Sequence, residues 1–178
     1  MKTTGVIGAG SWGTALATVL AGKGGSVKIW DIDEKHLRSM EENRENVDYL
    51  PGVPLDENIK IAYTVEEALA DADVVLFSAP AQHFRSALTS ALGHIKDDAL
   101  IINVAKGIEQ KTLLRMSQIA ADHIDMDRYV VLSGPSHAEE VGRRLPTTVA
   151  AASYNIEAAE KVQDLFMTDR FRVYTTED

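Results

Sequence analysis

The chain contains no cysteine. Disulfides, thiolate nucleophiles and cysteine-based zinc sites are therefore excluded, and a reducing compartment is compatible. Basic residues are in short supply: 18 lysines and arginines stand against 27 aspartates and glutamates, a net charge of −9 at pH 7. That balance argues against non-specific binding to nucleic acid or to an anionic membrane surface, which needs a basic face. It also means that an anionic ligand must be drawn in by local groups, against the overall field. No apolar run approaches the ~20 residues of a membrane span. Met1-Lys2-Thr3-Thr4 leads into Val6-Ile7 without a signal-peptide pattern, so the expectation is a cytoplasmic protein with no membrane insertion. No repeat, low-complexity tract or interdomain linker is visible, and no metal site is expected.

What is present is a core. Apolar residues make up 45 % of 178 positions, enough for one domain over residues 1–178. Short apolar runs alternate with amphipathic segments. Strands are expected at Thr4–Gly8, Val27–Asp31, Ile59–Tyr63, Val74–Ser78, Leu100–Val104, Tyr129–Ser133, Thr148–Ala152 and Arg172–Thr175. "DVVLFSAP" and "ALIINVAKG" are apolar almost throughout, as in parallel strands buried on both faces. Helices are expected over Ser11–Lys23, from near Glu34, from Thr64 (a capping box with Glu67) to Ala70, from Pro80 to about Leu92, along the face Leu113, Met116, Ile119, Ala120, and over Ile156–Met167 behind an Asn155 cap. Glu45–Asn58 holds two of the five prolines and reads as a loop. The alternation predicts an α/β fold: a doubly wound, mostly parallel Rossmann-type sheet with helices on both faces.

"GAGSWG" is G-x-G-x-x-G, set between a predicted strand and a predicted helix, the context that gives the pattern meaning. Gly8 allows the tight turn, Gly10 has no Cβ to block a pyrophosphate, and Gly13 lets the helix approach the strand. The free N–H groups and dipole of the first helical turn then favour an anion without needing a lysine. The bland alternative is a structural turn. Asp31 follows Gly8 at about the 20-residue distance at which the fingerprint expects an acidic residue for the ribose hydroxyls. A carboxylate there repels a 2′-phosphate, which points to NAD over NADP. Asp31 or Asp33 could instead cap the next helix; Asp33 is the better cap, leaving Asp31 free. Lys106 follows a buried strand at its C-terminal end, where open α/β sheets bind ligands, although a solvated surface lysine is the plain alternative. "SGPSHAEE" likewise follows a strand; its serines either serve a ligand or cap a helix, Ser133 or Ser136 with Pro135.

Taken together, "GAGSWGTALA", "YLPG", "NVAKGIE", "LSGPSHAEEV", "LPTTVAAAS" and "FRVYTTED" resemble, in register over essentially the whole chain, the bacterial-type NAD(P)-dependent glycerol-3-phosphate dehydrogenases. The resemblance implies hydride transfer between NAD(P)H and dihydroxyacetone phosphate, giving sn-glycerol 3-phosphate for phospholipid synthesis. It implies cofactor contacts from Ser11, Trp12, Tyr49, Lys106 and Ala138, and substrate contacts from Lys106, Gly134 and Ser136. Many such relatives carry a basic residue at position 32, where this chain has Ile32, which again favours NAD. His137 stands where Phe is frequent, and a packed or exposed histidine is expected there, as at His83. The family pattern continues past "FRVYTTED" into a helical substrate domain that carries the catalytic lysine. No catalytic residue is therefore expected within these 178 residues, and the expectation is cofactor binding without turnover. Apolar surface is expected around Phe171–Tyr174, with a homodimer left open. The rivals are another two-domain dehydrogenase of the superfamily, of 3-hydroxyacyl or 6-phosphogluconate type, and a non-catalytic NAD(H)-sensing module.

Overall fold

The computed structural model describes residues 2–177. Eight strands form one sheet: β1 (Thr3–Ile7), β2 (Ser26–Trp30), β3 (Ile59–Ile61), β4 (Val74–Phe77), β5 (Leu100–Asn103), β6 (Tyr129–Ser133), β7 (Thr147–Ala152) and β8 (Phe171–Thr176). Their order is β3-β2-β1-β4-β5-β6-β7-β8. Neighbours from β3 to β6 pair in parallel, β7 runs antiparallel to β6, and β8 is parallel to β7. All eight expected strands form, with ends within one or two residues of their expected bounds. The sheet is doubly wound, because the chain leaves β1 towards β2 and β3 and returns to β4 on the other side.

The central strands are buried on both faces because each face carries its own core. In β4, Val74 and Leu76 point to one side and Val75 and Phe77 to the other. The first side is covered by α1 (Ser11–Gly22), α2 (Glu34–Asn43), α6 (Ala138–Gly142) and α7 (Ile156–Phe166). The second is covered by α3 (Val65–Leu69), α4 (Ala81–Ala91) and α5 (Met116–Ala121). Helix α1 has no charged residue, since it lies between the sheet and α6 with Ala15, Leu16, Ala17 and Leu20 buried. The Thr64–Glu67 capping box opens α3, and Asn155 caps α7 through the Glu157 N–H.

Three expectations are corrected. Leu113 does not belong to α5: its φ of 59° places it in the left-handed region, it is 69 % exposed, and the helix begins at Met116. Pro80 is the N-cap of α4 and not its first helical residue. Phe171 and Val173 are buried beneath α7, the Phe171 ring lying 6.1 Å from that of Phe166, so Tyr174 is the one exposed apolar side chain of the expected patch. The Tyr174 ring carries the Arg172 guanidinium at 5.9 Å.

Helix α1 lies close against the ends of β1 and β4 at Gly13. A Cβ there would overlap the Gly8 carbonyl oxygen and stand 3.0 Å from Ser78 Oγ. Because the first obstacle is backbone, α1 would have to move away from the sheet. Gly13→Ala is expected to cost about 2 kcal/mol, read from the urea unfolding midpoint.

Candidate functional site

The strand order reverses at β1, and a crevice opens at the carboxyl ends of β1, β4 and β5, the position at which open α/β sheets take ligands. It is a cleft of about 820 Å³. Gly8, Gly10, Ser11, Trp12, Asp31 and Tyr49 line one wall, and Lys106, Ser136 and Ala138 line the other. The structure thus brings together nine of the eleven residues singled out by sequence. Gly13 lies behind the wall at the helix–strand contact. Gly134 lies beneath Lys106, where a Cβ would come within 2.8 Å of the Thr148 carbonyl oxygen.

The glycine wall is made of backbone. Gly8 adopts φ 111°, and a Cβ on it would meet the Ala79 nitrogen at 2.8 Å. Gly10 is the N-cap of α1, no side chain caps that helix, and no acidic residue occupies its first turn. A Cβ at Gly10 would meet nothing within 4 Å, so the open space faces the cleft and not the protein. The Trp12 indole Nε1 is buried and has no hydrogen-bond partner among the described residues. Uncapped N–H groups and an unfilled approach to Gly10 together suit a ligand rich in oxygen acceptors.

Between Gly8 and Gly10, Ala9 is fixed through both of its backbone polar groups. Its N–H donates to Asp31 Oδ2 at 2.8 Å. Its carbonyl oxygen accepts from Asn46 Nδ2 at 2.9 Å and lies 3.0 Å from His36 Nε2, with Thr14 Oγ1 at 3.4 Å. Asn46, fully buried, also donates to Thr14 Oγ1, and its Oδ1 caps the Tyr49 N–H. The 46–49 loop and the glycine turn are therefore one hydrogen-bonded unit. Asp33 does cap α2, accepting from the Lys35 and His36 N–H groups. The expectation that this leaves Asp31 free is corrected: its two oxygens accept from Ala9 and Asp33 backbone N–H groups. A carboxylate oxygen has a second lone pair, so Asp31 retains acceptor capacity towards the cleft. Ile32 beside it is 89 % exposed.

On the facing wall, Lys106 donates from Nζ to the Gly134 carbonyl at 2.8 Å, and Ser136 Oγ approaches the same oxygen at 3.4 Å. Neither Ser133 nor Ser136 caps α6, whose N-cap is His137 without a side-chain bond. His137 and His83 are exposed at the rim of the cleft. The segment carrying Lys106 is braced from α4. Gln82 donates to the Ile108 carbonyl and accepts from the Gln110 N–H, and Arg85 makes a two-pronged ion pair with Glu109 at 2.9 and 2.8 Å. Sequence reasoning missed His36, Asn46 and Arg85. Of these only Asn46 left a signal, an asparagine three residues before Tyr49, the spacing of a side chain capping a turn.

A family model described as "NAD-dependent glycerol-3-phosphate dehydrogenase N-terminus" matches residues 3–159. A glycerol-3-phosphate dehydrogenase [NAD(P)+] of Pelotomaculum thermopropionicum is 49 % identical over 176 residues, which is 97 % of this chain and 50 % of that protein. The Bacillus subtilis protein of the same name is 47 % identical, covering all of this chain and 52 % of its own length. The crystal structure of glycerol-3-phosphate dehydrogenase from Coxiella burnetii superposes with a TM-score of 0.92 at 32 % identity, over 99 % of this chain and 54 % of that one. The chain spans about half the length of the curated relatives it matches.

The Arg85 guanidinium, followed by the Thr112 hydroxyl, holds the Glu109 carboxyl down to about 2. Its contribution is complete above the ordinary carboxylate range and is lost as pH falls towards 2. Carbon-detected NMR titration of Glu109 is expected to show this low midpoint, and Arg85→Leu to return it most of the way to normal. The same variant should broaden the Lys106 and Gly107 amide signals, because α4 would no longer brace that segment.

Proposed function

The chain belongs to the NAD-dependent glycerol-3-phosphate dehydrogenase family and matches its N-terminal part; from that membership we propose that residues 1–178 work as a single dinucleotide-binding domain whose cleft holds a nicotinamide dinucleotide. The observation that carries the proposal is the uncapped start of α1 behind Gly10, open where a pyrophosphate would lie. Ser11, Trp12, Gly8 and Gly13 supply or shape that cradle. Tyr49 flanks it, and Ala138 with Lys106 forms the opposite wall. NAD is preferred over NADP. At the end of β2 the groups in line are Asp31, the exposed Ile32 and Asp33, so a 2′-phosphate would meet two carboxylates and no cation.

In the longer proteins of the family the reaction we assign is hydride transfer to dihydroxyacetone phosphate, giving sn-glycerol 3-phosphate, a precursor for phospholipids, in the cytoplasm. Bound nicotinamide supplies the hydride. Lys106 has one of its three donors on Gly134, and the others are available to an oxygen that gains negative charge. Ser136 adds a hydroxyl beside it, and the Gly134 backbone fixes the spacing of the two. The cleft built by these residues has one side open, and hydride transfer needs donor and acceptor held in contact. The 178-residue chain is therefore assigned nucleotide binding without turnover, in monomeric or homodimeric form.

Two measurements test this. Titration of the chain with NADH and NADPH side by side is expected to give NADH an affinity about tenfold higher or more; tighter NADPH binding would overturn the assignment of Asp31. Gly10→Ala is expected to fold with the unfolding midpoint nearly unchanged while NADH binding is lost. Retention of binding in that variant would mean that the nucleotide does not lie against α1.

A further inference from the structure

His36 is almost completely buried, with a side-chain exposure of 4 %, and both of its ring nitrogens face oxygens that can only accept. Nε2 lies 3.0 Å from the Ala9 carbonyl, and Nδ1 lies 3.2 Å from Asp48 Oδ2. A ring with one proton can satisfy one of these contacts; the other then sets a lone pair against a lone pair. A ring protonated on both nitrogens satisfies both. The two acceptors belong to different parts of the site. Ala9 is the centre of the glycine turn, and Asp48 lies in the loop that carries Tyr49, whose ring stands edge-on to the imidazole at 4.8 Å.

We propose that His36 is a positioning residue for nucleotide binding: protonated on both nitrogens, it ties the Tyr49 loop to the glycine turn by bridging the Asp48 carboxylate and the Ala9 carbonyl. The proposal rests on the reading of the cleft as a nucleotide site. Loss of the second proton leaves the Nε2–H on Ala9, because that carbonyl is buried and has no access to water, whereas the Asp48 carboxylate does. Asp48, which is 56 % exposed, then turns into water, and the loop keeps only its Asn46 bonds. The titratable groups in contact with the imidazole are Asp48 and Tyr49 from the loop; Asp33, the N-cap of its helix, accepts from the His36 backbone N–H, and Asp31 accepts from the Ala9 N–H. Thr14 is the neighbour from α1 and carries no charge.

Only a ring carrying both protons can make both contacts at once, so the test is a pH series on the 178-residue chain. The wild-type Kd for NADH is expected to rise about three- to tenfold from pH 6 to pH 8.5. His36→Gln keeps a donor towards Ala9 and loses the bridge; it should bind with the alkaline wild-type affinity at both pH values. Asp48→Asn separates bridging from a merely structural role. Its amide accepts from the doubly protonated ring and donates to the singly protonated one, so it should remove the pH dependence and keep tight binding at pH 8.5. Equal pH slopes in wild type and Asp48→Asn, or in wild type and His36→Gln, would overturn the proposal. A second readout needs no nucleotide: in ¹⁵N spectra the Tyr49 amide should follow the His36 ring titration in wild type and not in Asp48→Asn. A Tyr49 amide indifferent to the ring would also overturn it. If the amide follows the ring but NADH does not bind at any pH, the coupling stands and the nucleotide reading is what fails.

Discussion

A single residue organises this cleft. Ala9 sits between two glycines, each of which needs to be bare for a different reason, and its methyl group is buried in the core. The fold supplies the restraint from outside. Asp31, at the end of β2, takes its N–H, while Asn46 and His36, from the loop and from α2, converge on its carbonyl. A glycine-rich turn is entropically costly to order. Here the ordering comes from hydrogen bonds that originate far away in sequence. The turn is thereby fixed before a ligand arrives, and preorganisation of this kind lowers the ordering cost of binding.

The opposite wall obeys the same logic with different parts. Lys106 could sweep a wide volume, since its stem is flexible and its surroundings exposed. It is instead directed to the Gly134 carbonyl, and its backbone is braced from α4 by Gln82 and Arg85. Gly134 in turn can lie where it does only because it has no Cβ to meet the start of β7. The reversal of direction at β7 thus has a role at the site: it brings the beginning of a strand, and not its end, up against the ligand side of the sheet.

The parts legible in the sequence share a physical character. Strands β4 and β5 are buried on both faces, so their residues are uniformly apolar and stand out against any background. Gly8, Gly10 and Gly13 are constrained by backbone geometry at short range, and the motif records that constraint. Asn155 and Thr64 cap helices within three residues of themselves. What was not legible is set by tertiary contact. The start of α5 was misplaced because Leu113, apolar and in phase with the helix, adopts a left-handed backbone that no pattern of hydrophobicity reveals. His36 gave no sign, since its partners are a carbonyl on one element and a carboxylate on another. The antiparallel turn at β7 was likewise hidden, because the alternation along "TTVAAA" carries no strand direction. The apolar stretch at Phe171 and Val173 was read as exposed because the α7 face that covers it is visible only once the chain is folded.

Helix α1 carries no charged side chain on any face, while the molecule as a whole carries −9. Attraction of an anion by peptide dipoles is confined to contact distance, whereas the repulsion from the surface carboxylates reaches outwards over the Debye length, about 8 Å at physiological ionic strength. Added salt therefore suppresses the unfavourable part more than the favourable one. Proteins that grip phosphates with lysine and arginine loosen as ionic strength rises; a cradle of bare amides in an acidic shell should tighten.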